Sequence, residues 1–383
     1  MSGSCKKNTI LFILVLYACT GRNGVREAGK KDVIGQKIIY AERFEIQLKD
    51  GYSILTIKNP WQGAANINES YYLLPKGTPV PAGVDSLKII RVPVRKIICM
   101  STTHMAMISA LNEEKTIKGF SGTDFLYEKK LRDLIESNNI ADVGYEDNLN
   151  KEVVIQIAPD LVMVYGIGSE SEGYISKLKE LGIKILFNAD YLESNPLGKA
   201  EWIKVFGAIY GKEKEADSIF TSVYNQYSCL KSFIHANVKY RPKIFLGLPW
   251  KDTWFISSGN SYISKLIADA EGDYLWKDIQ SEISMPFGIE NVYLRALKAD
   301  YWLNTSSANS LDEIISVDNR LRELPSFKNG NIFNNNNRVT PKGGNDYWES
   351  GSLNPQIILK DIAAIIHPGL FPGYELYFYK KIK

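Results

Sequence analysis

From residue 96 onward the chain alternates short apolar strands with helical stretches, and that alternation narrows the fold more than any other feature. Strand candidates lie at 96–100, 116–120, 161–165 and 184–187, with helical periodicity near 104–112, 127–138, 151–158 and 171–182. Strands separated by helices run parallel in a sheet covered on both faces. The same grammar restarts at Lys243-Ile244-Phe245-Leu246-Gly247 and passes through Tyr301-Trp302-Leu303-Asn304 towards residue 367. The expected fold is α/β, with two parallel-sheet lobes joined by a long connecting helix and a small N-terminal β extension.

The connector is legible as an amphipathic pattern. Trp202, Val205, Phe206 and Ile209, then Ile219, Phe220, Val223, Tyr227, Leu230 and Ile234, recur at the three-and-four spacing of one helical face, with a break expected at Gly211. A helix over 213–236 would be roughly 36 Å long at ~1.5 Å per residue, enough to cross between small lobes. So stiff a connector argues against large domain closure. Ahead of the lobes, Phe44-Glu45-Ile46-Gln47-Leu48 alternates at period two, Lys49-Asp50-Gly51 supplies a turn and an apolar run follows at 52–57, which predicts a hairpin.

The first residues read as an address. Lys6 and Lys7 precede an apolar run at 10–16 that is too short to span a bilayer, and it ends in Leu16-Tyr17-Ala18-Cys19, similar to a bacterial lipobox. Cys19 is the expected lipidation site, and no later stretch is long and apolar enough to span. The division expected is a signal peptide at 1–18, a tether at 19–35, the β extension at 36–95, an N-terminal lobe at 96–195, the connector at 196–236 and a C-terminal lobe at 237–383. With Cys5 and Cys19 spent, Cys99 and Cys229 remain, and two buried free thiols are expected rather than a disulfide framework.

Charge and composition remove whole classes of function. With 46 basic and 43 acidic residues the net charge is +3, without the basic run that a nucleic-acid binder would show. The 22 Tyr and 7 Trp against 3 His favour stacking surfaces over histidine metal chemistry or a Ser-His-Asp triad. Gly166-Ile167-Gly168 has Ser171 at the third glycine position of a dinucleotide fingerprint, so that reading fails.

Several segments in order resemble the periplasmic binding proteins of bacterial ATP-binding-cassette importers for iron-siderophore, haem and cobalamin. They are Lys96-Ile97-Ile98-Cys99-Met100-Ser101-Thr102-Thr103-His104, Ile140-Ala141-Asp142-Val143-Gly144-Tyr145, Ala158-Pro159-Asp160-Leu161-Val162 and Gly344-Asn345-Asp346-Tyr347-Trp348-Glu349-Ser350-Gly351. The resemblance spans roughly 92–370, and the β extension has no counterpart in it. It implies a ligand cleft between the lobes, at the carboxyl ends of the strands, where open α/β sheets bind in general. It also implies a monomer in the periplasm, touching a bacterial membrane by its lipid anchor only. The ligand would be a metal chelate or macrocycle that brings its own iron or cobalt, with no resident cofactor or metal and no catalysis.

The strand ends nominate ligand-binding residues: Thr102, Thr103 and His104, then Asp124, then Tyr165 in the first lobe, and Trp250, Trp254, Arg338, Asn345, Tyr347 and Trp348 in the second. Each has a structural alternative. Ser101-Thr102-Thr103 also suits a helix cap, His104 a helix-start histidine, Trp250 and Trp254 the core, and Arg338 a solvated loop charge. Tyr347-Trp348, flanked by Gly343, Gly344 and Gly351, suits a stacking platform that backbone can approach. The resemblance further implies docking on a permease dimer through one exposed glutamate per lobe. Glu152 and Glu290 stand at the matching places, each opening a short helix before a strand, where a first-turn acid also suits the helix dipole. Among ligands a ferric siderophore is favoured over haem or cobalamin. The competing class is a secreted, lipid-anchored α/β enzyme using carboxylates such as Asp124 and Asp346.

Overall fold

The computed structural model describes residues 37–145, 148–166 and 170–383, so Cys19, the leader and the tether lie outside it. The β extension comprises β1 (Phe44–Lys49), β2 (Tyr52–Lys58), β3 (Asn68–Pro75) and β4 (Ile89–Val92). The first two form the expected hairpin, turning at Gly51 with φ 82°. Phe44 and Ile46 point inward while Glu45 and Gln47 point away, as a half-buried strand requires. β3 pairs antiparallel with β2 and parallel with β4.

The N-terminal lobe runs β5 (Ile97–Cys99), α1 (Thr102–Ala110), β6 (Ile117–Phe120), α2 (Lys129–Glu136), β7 (Ala141–Asp142), α3 (Lys151–Ile157), β8 (Leu161–Val164), α4 (Glu170–Glu180) and β9 (Ile185–Phe187). Its sheet has the order β7-β6-β5-β8-β9, every pair parallel. β5, β8 and β9 are buried along their whole length, which is why they read as unbroken apolar runs. The strand order reverses between β5 and β8.

Three helices connect the lobes: α5 (Pro196–Glu201), α6 (Ile203–Tyr210) and α7 (Glu213–Asn237). Gly211 closes α6 in the left-handed region at φ 66°, so the expected break falls where the glycine is. The 25 residues of α7 extend ~37 Å and bury Ala216, Phe220, Val223, Tyr227 and Ile234. The expectation of two buried thiols is corrected here. Both cysteines are free, Cys99 buried in β5, but Cys229 lies on the exposed side of α7.

The C-terminal lobe comprises β10 (Lys243–Leu246), β11 (Thr253–Ile256), α8 (Tyr262–Asp269), β12 (Asp273–Tyr274), β13 (Met285–Gly288), α9 (Ile289–Ala296), β14 (Tyr301–Leu303), α10 (Leu311–Val317), α11 (Pro325–Lys328), β15 (Ile332–Asn334), α12 (Pro355–Ile366) and β16 (Lys380–Lys381). Its sheet has the order β12-β10-β14-β15-β16, with only β16 antiparallel, and β11 pairs with β13 in a separate ribbon. The lobes repeat one device. Asp160 N donates to Lys96 O and its carboxylate accepts from Lys96 N, while Asp300 does the same with Lys243, so an aspartate ahead of β8 in one lobe and of β14 in the other ties down the start of that lobe's first strand. Among the described residues no helix is long and apolar enough to cross a membrane.

Candidate functional site

A cavity of about 720 Å³ opens between the lobes. Its C-lobe wall forms where strand order reverses between β10 and β14, with Gly247 following the one and Asn304 the other. Asn335, Asn345, Tyr347 and Trp348 continue that wall, and Phe255 and Tyr262 flank it. Tyr347 is buried edge-on against Trp348, with ring centroids 4.8 Å apart, and also packs on Phe378 and Tyr379. Its backbone N–H donates to Asn345 Oδ1 at 3.0 Å, and Asn345 Nδ2 donates to Asn335 O at 3.1 Å. The platform is thus fixed from below, while Trp348 stays exposed to the cavity.

Asn345, Tyr347 and Trp348 therefore line the cavity, and the other nominated residues do not. His104 is fully buried against Phe206 of α6, because α1 is sandwiched between sheet and connector. Desolvation pushes its pKa down to about 3, so it is neutral, and its burial against α6 keeps it off the cavity wall. Ser101 caps α1 by accepting from Thr103 N at 3.3 Å, so Thr102 and Thr103 open the helix half-buried. Tyr165 sits edge-on to Tyr191, and it is Tyr191 that reaches the cavity. Trp250 is 65% exposed on the β10–β11 turn, outside the cavity, with Lys251 Nζ 4.5 Å from its ring centre.

Trp254 is corrected by register. Side chains alternate across a strand, and in β11 Trp254 and Ile256 face the core while Phe255, 51% exposed, faces the cavity. Trp254 donates its indole N–H to Leu246 O at 3.0 Å and packs with Phe245 and Trp302. Phe255 is not nominated from sequence, because Trp254, Phe255 and Ile256 are all apolar and give no alternation to tell core from cavity.

Arg338 and Asp124 serve the contact between lobes. Arg338 pairs with Asp346 at 2.6 Å and stacks on Tyr377 and, across the lobes, on Tyr127. Lys342 pairs with Asp124 at 2.7 Å. A Cβ on Gly344 would sit 2.7 Å from Leu126 O, so glycine is what lets the two backbones meet. Glu349 completes the bolt by accepting the N–H groups of Tyr127 and Glu128, the two residues just ahead of α2, at 2.6 and 2.8 Å. These contacts flank a second cavity of about 670 Å³, lined by Arg132, Arg338 and Asp346 among others. Asp124 and Asp346, the carboxylates the enzyme reading names, are both committed to ion pairs.

Burial pushes the Glu349 carboxyl up to about 7, against the two amide donors. A carboxyl raised in the fold adds stability that is fully present below its ordinary value of 4.5 and is lost as pH rises through about 7. Across that window wild-type protein should lose on the order of 3 kcal/mol from this group. Glu349→Gln, which keeps one acceptor, should flatten that part of the profile in thermal melts. Parallel wild-type and variant profiles from pH 4 to 8 would refute the assignment.

Glu152 and Glu290 stand exposed in the first turns of α3 and α9. Each helix shows a bare aliphatic side chain one turn on, Ile155 at 54% and Leu294 at 63% exposure. Arg320 approaches Glu290 at 3.4 Å but is committed to Asp318 at 2.6 Å.

Comparison with known proteins bears on all of this. Residues 97–338 match the model of a family described as periplasmic binding protein. An uncharacterized lipoprotein of Methanocaldococcus jannaschii is 32% identical over 327 residues, covering 82% of this chain and 76% of that protein. Among solved structures, a periplasmic haem-binding protein from Pseudomonas aeruginosa aligns with TM-score 0.58 at 14% identity, over 76% of this chain and 98% of that one. An ABC-type Fe3+-hydroxamate transport protein from Saccharomonospora viridis aligns with TM-score 0.54 at 14% identity, over 72% and 94%. At such identities the structural likenesses show the fold: two α/β lobes about a helical connector.

Proposed function

This chain belongs to the periplasmic binding protein family, a class that binds substrates and does not transform them, and from that membership we propose that its inter-lobe cavity captures a ferric siderophore for an ATP-binding-cassette importer. The observation that carries the ligand class is the chemistry of the wall. Tyr347, Trp348, Phe255 and Tyr262 supply aromatic surface, Asn304, Asn335 and Asn345 supply amides, and no histidine lines the cavity. Among the described residues no cluster of three metal-ligating side chains occurs. Such a wall suits a ligand whose metal is already fully coordinated, so that any iron or cobalt arrives inside the ligand and the protein carries no cofactor.

Haem is the less favoured alternative, because it wants an axial histidine or tyrosinate. Burial pushes the phenols of Tyr191 and Tyr347 up to about 12, which opposes the anionic form. Cobalamin remains the other alternative. The protein acts as a monomer in the periplasm, held to the membrane by lipid on Cys19 alone. A lipid adduct on Cys19 in the mass spectrum of membrane-extracted protein tests that anchor. Delivery uses Glu152 and Glu290, one on each lobe, against a dimeric permease.

Native mass spectrometry with a ferric trihydroxamate, a ferric tricatecholate, haemin and cyanocobalamin tests the ligand. One ferric siderophore should bind at a single site, leave unchanged and quench tryptophan emission. Trp348→Ala should weaken it by about 1 to 3 kcal/mol. Failure to bind any of the four, or their chemical conversion, would overturn the reading, and exclusive binding of haemin or cyanocobalamin would replace the siderophore with that ligand.

A further inference from the structure

The two lobes do not meet the cavity in the same way. The C-terminal lobe presents its own strand ends, as an open α/β sheet should. In the N-terminal lobe the carboxyl ends of β8 and β9 are met by the loop joining β2 to β3 in the extension. Trp61 forms a parallel bridge with Gly166, two residues past β8, and Gln62 N donates to Gly166 O at 3.3 Å. The Trp61 ring packs 5.4 Å from Phe187, the last residue of β9. A Cβ at Gly166 would lie 2.6 Å from Trp61 Cβ, so the approach is built around a glycine. Thr102, Thr103 and Tyr165 are accordingly absent from the cavity wall, and Arg43, Trp61, Gln62 and Gly63 are in it.

The extension is held in this position by two buried carboxylates from the start of the connector region. Glu201 accepts the N–H groups of Ile39, Tyr40 and Ala41, and Glu193 accepts those of Glu42 and Arg43 together with the Trp202 indole N–H. Arg43 is therefore fixed at its backbone, while its guanidinium makes a long contact, Nη1 to Asn59 O at 3.5 Å. A second cation, Lys199, also lines the cavity, with Nζ 5.2 Å from the Tyr262 ring centre. Trp61 offers stacking area, and Arg43 offers a planar fork suited to an anionic oxygen.

We infer that the N-terminal β extension is one wall of the ligand site, with Trp61 and Arg43 contacting the ligand where Thr102, Thr103 and Tyr165 do not; this rests on the cavity being the binding site. The ligand it fits carries a flat conjugated surface beside an anionic oxygen, as hydroxamate and catecholate arms do.

The test uses full-length protein and the same four probes. For whichever probe the wild type binds, Trp61→Ala and Arg43→Gln should each weaken affinity about ten-fold or more, and Trp250→Ala should leave it unchanged. Trp61 also packs on Phe187, so Arg43→Gln and hydrogen exchange decide the matter if Trp61→Ala unfolds. Amides at 61–63 should gain protection when the probe is added. A probe bound by wild type and held within about two-fold by Arg43→Gln, with unchanged exchange at 61–63, overturns the inference and leaves the cavity's assignment standing. If wild type binds no probe, both fall together.

Discussion

Uptake driven by the protein carrying both Glu152→Lys and Glu290→Lys should fall to background, with ligand affinity and melting temperature close to wild type. Both carboxylates are solvent-exposed at helix starts, and an exposed ion pair such as that of Glu290 with Arg320 contributes little to the free protein. Charge reversal against basic sites on a partner is a different matter, because juxtaposed like charges cost several kcal/mol. The connector α7 and the bolt around Glu349 keep the two lobes at one spacing, so both glutamates must fit at once. Ile155 and Leu294, bare beside them, would give each proposed contact an apolar centre. Transport at the wild-type rate by the double variant would defeat the docking assignment, as would loss of ligand binding in it.

Glu201→Ala should destabilise the fold by about 3 to 5 kcal/mol, the range expected when one partner of a buried ion pair is removed. Glu201 is fully buried, pairs with buried Lys204 at 2.9 Å and takes three backbone N–H groups at 2.7 to 3.1 Å. Truncation strands those amides and leaves Lys204 with Lys37 O at 2.8 Å and Asp217 at 3.5 Å. Glu201→Gln should cost less, since it keeps an acceptor but loses the charge. Chemical denaturation provides the measurement, and a loss under about 1 kcal/mol for Glu201→Ala would show that the extension is not secured through this carboxylate.

Much of the architecture was legible in the chain because it is written in local periodicity. β5, β8 and β9 are buried on both faces and read as apolar runs, α7 buries one stripe, and Gly211 closes α6 where a left-handed residue is needed. The platform at Tyr347 and Trp348 was legible for a similar reason, since aromatics beside glycines mark a place where backbone comes close. Trp254 shows the limit of such reasoning. One residue along a strand exchanges core for cavity, and only the pairing of β11 with β13 decides which face is which.

The sequence by itself determined two α/β lobes, a helical connector, the hairpin ahead of them and the Tyr347–Trp348 platform of the second lobe, because each depends on residues within a turn or a strand of one another. The tertiary structure alone decided what covers the first lobe's strand ends and which charges remain free. Trp61 meets Gly166, Ile39 meets Glu201 and Glu349 meets the amides of Tyr127 and Glu128 just ahead of α2, all across more than a hundred residues of chain. No periodicity encodes such meetings. They exist because buried backbone amides and carboxylates must find partners once the lobes pack, and the partners available are set by the assembled fold.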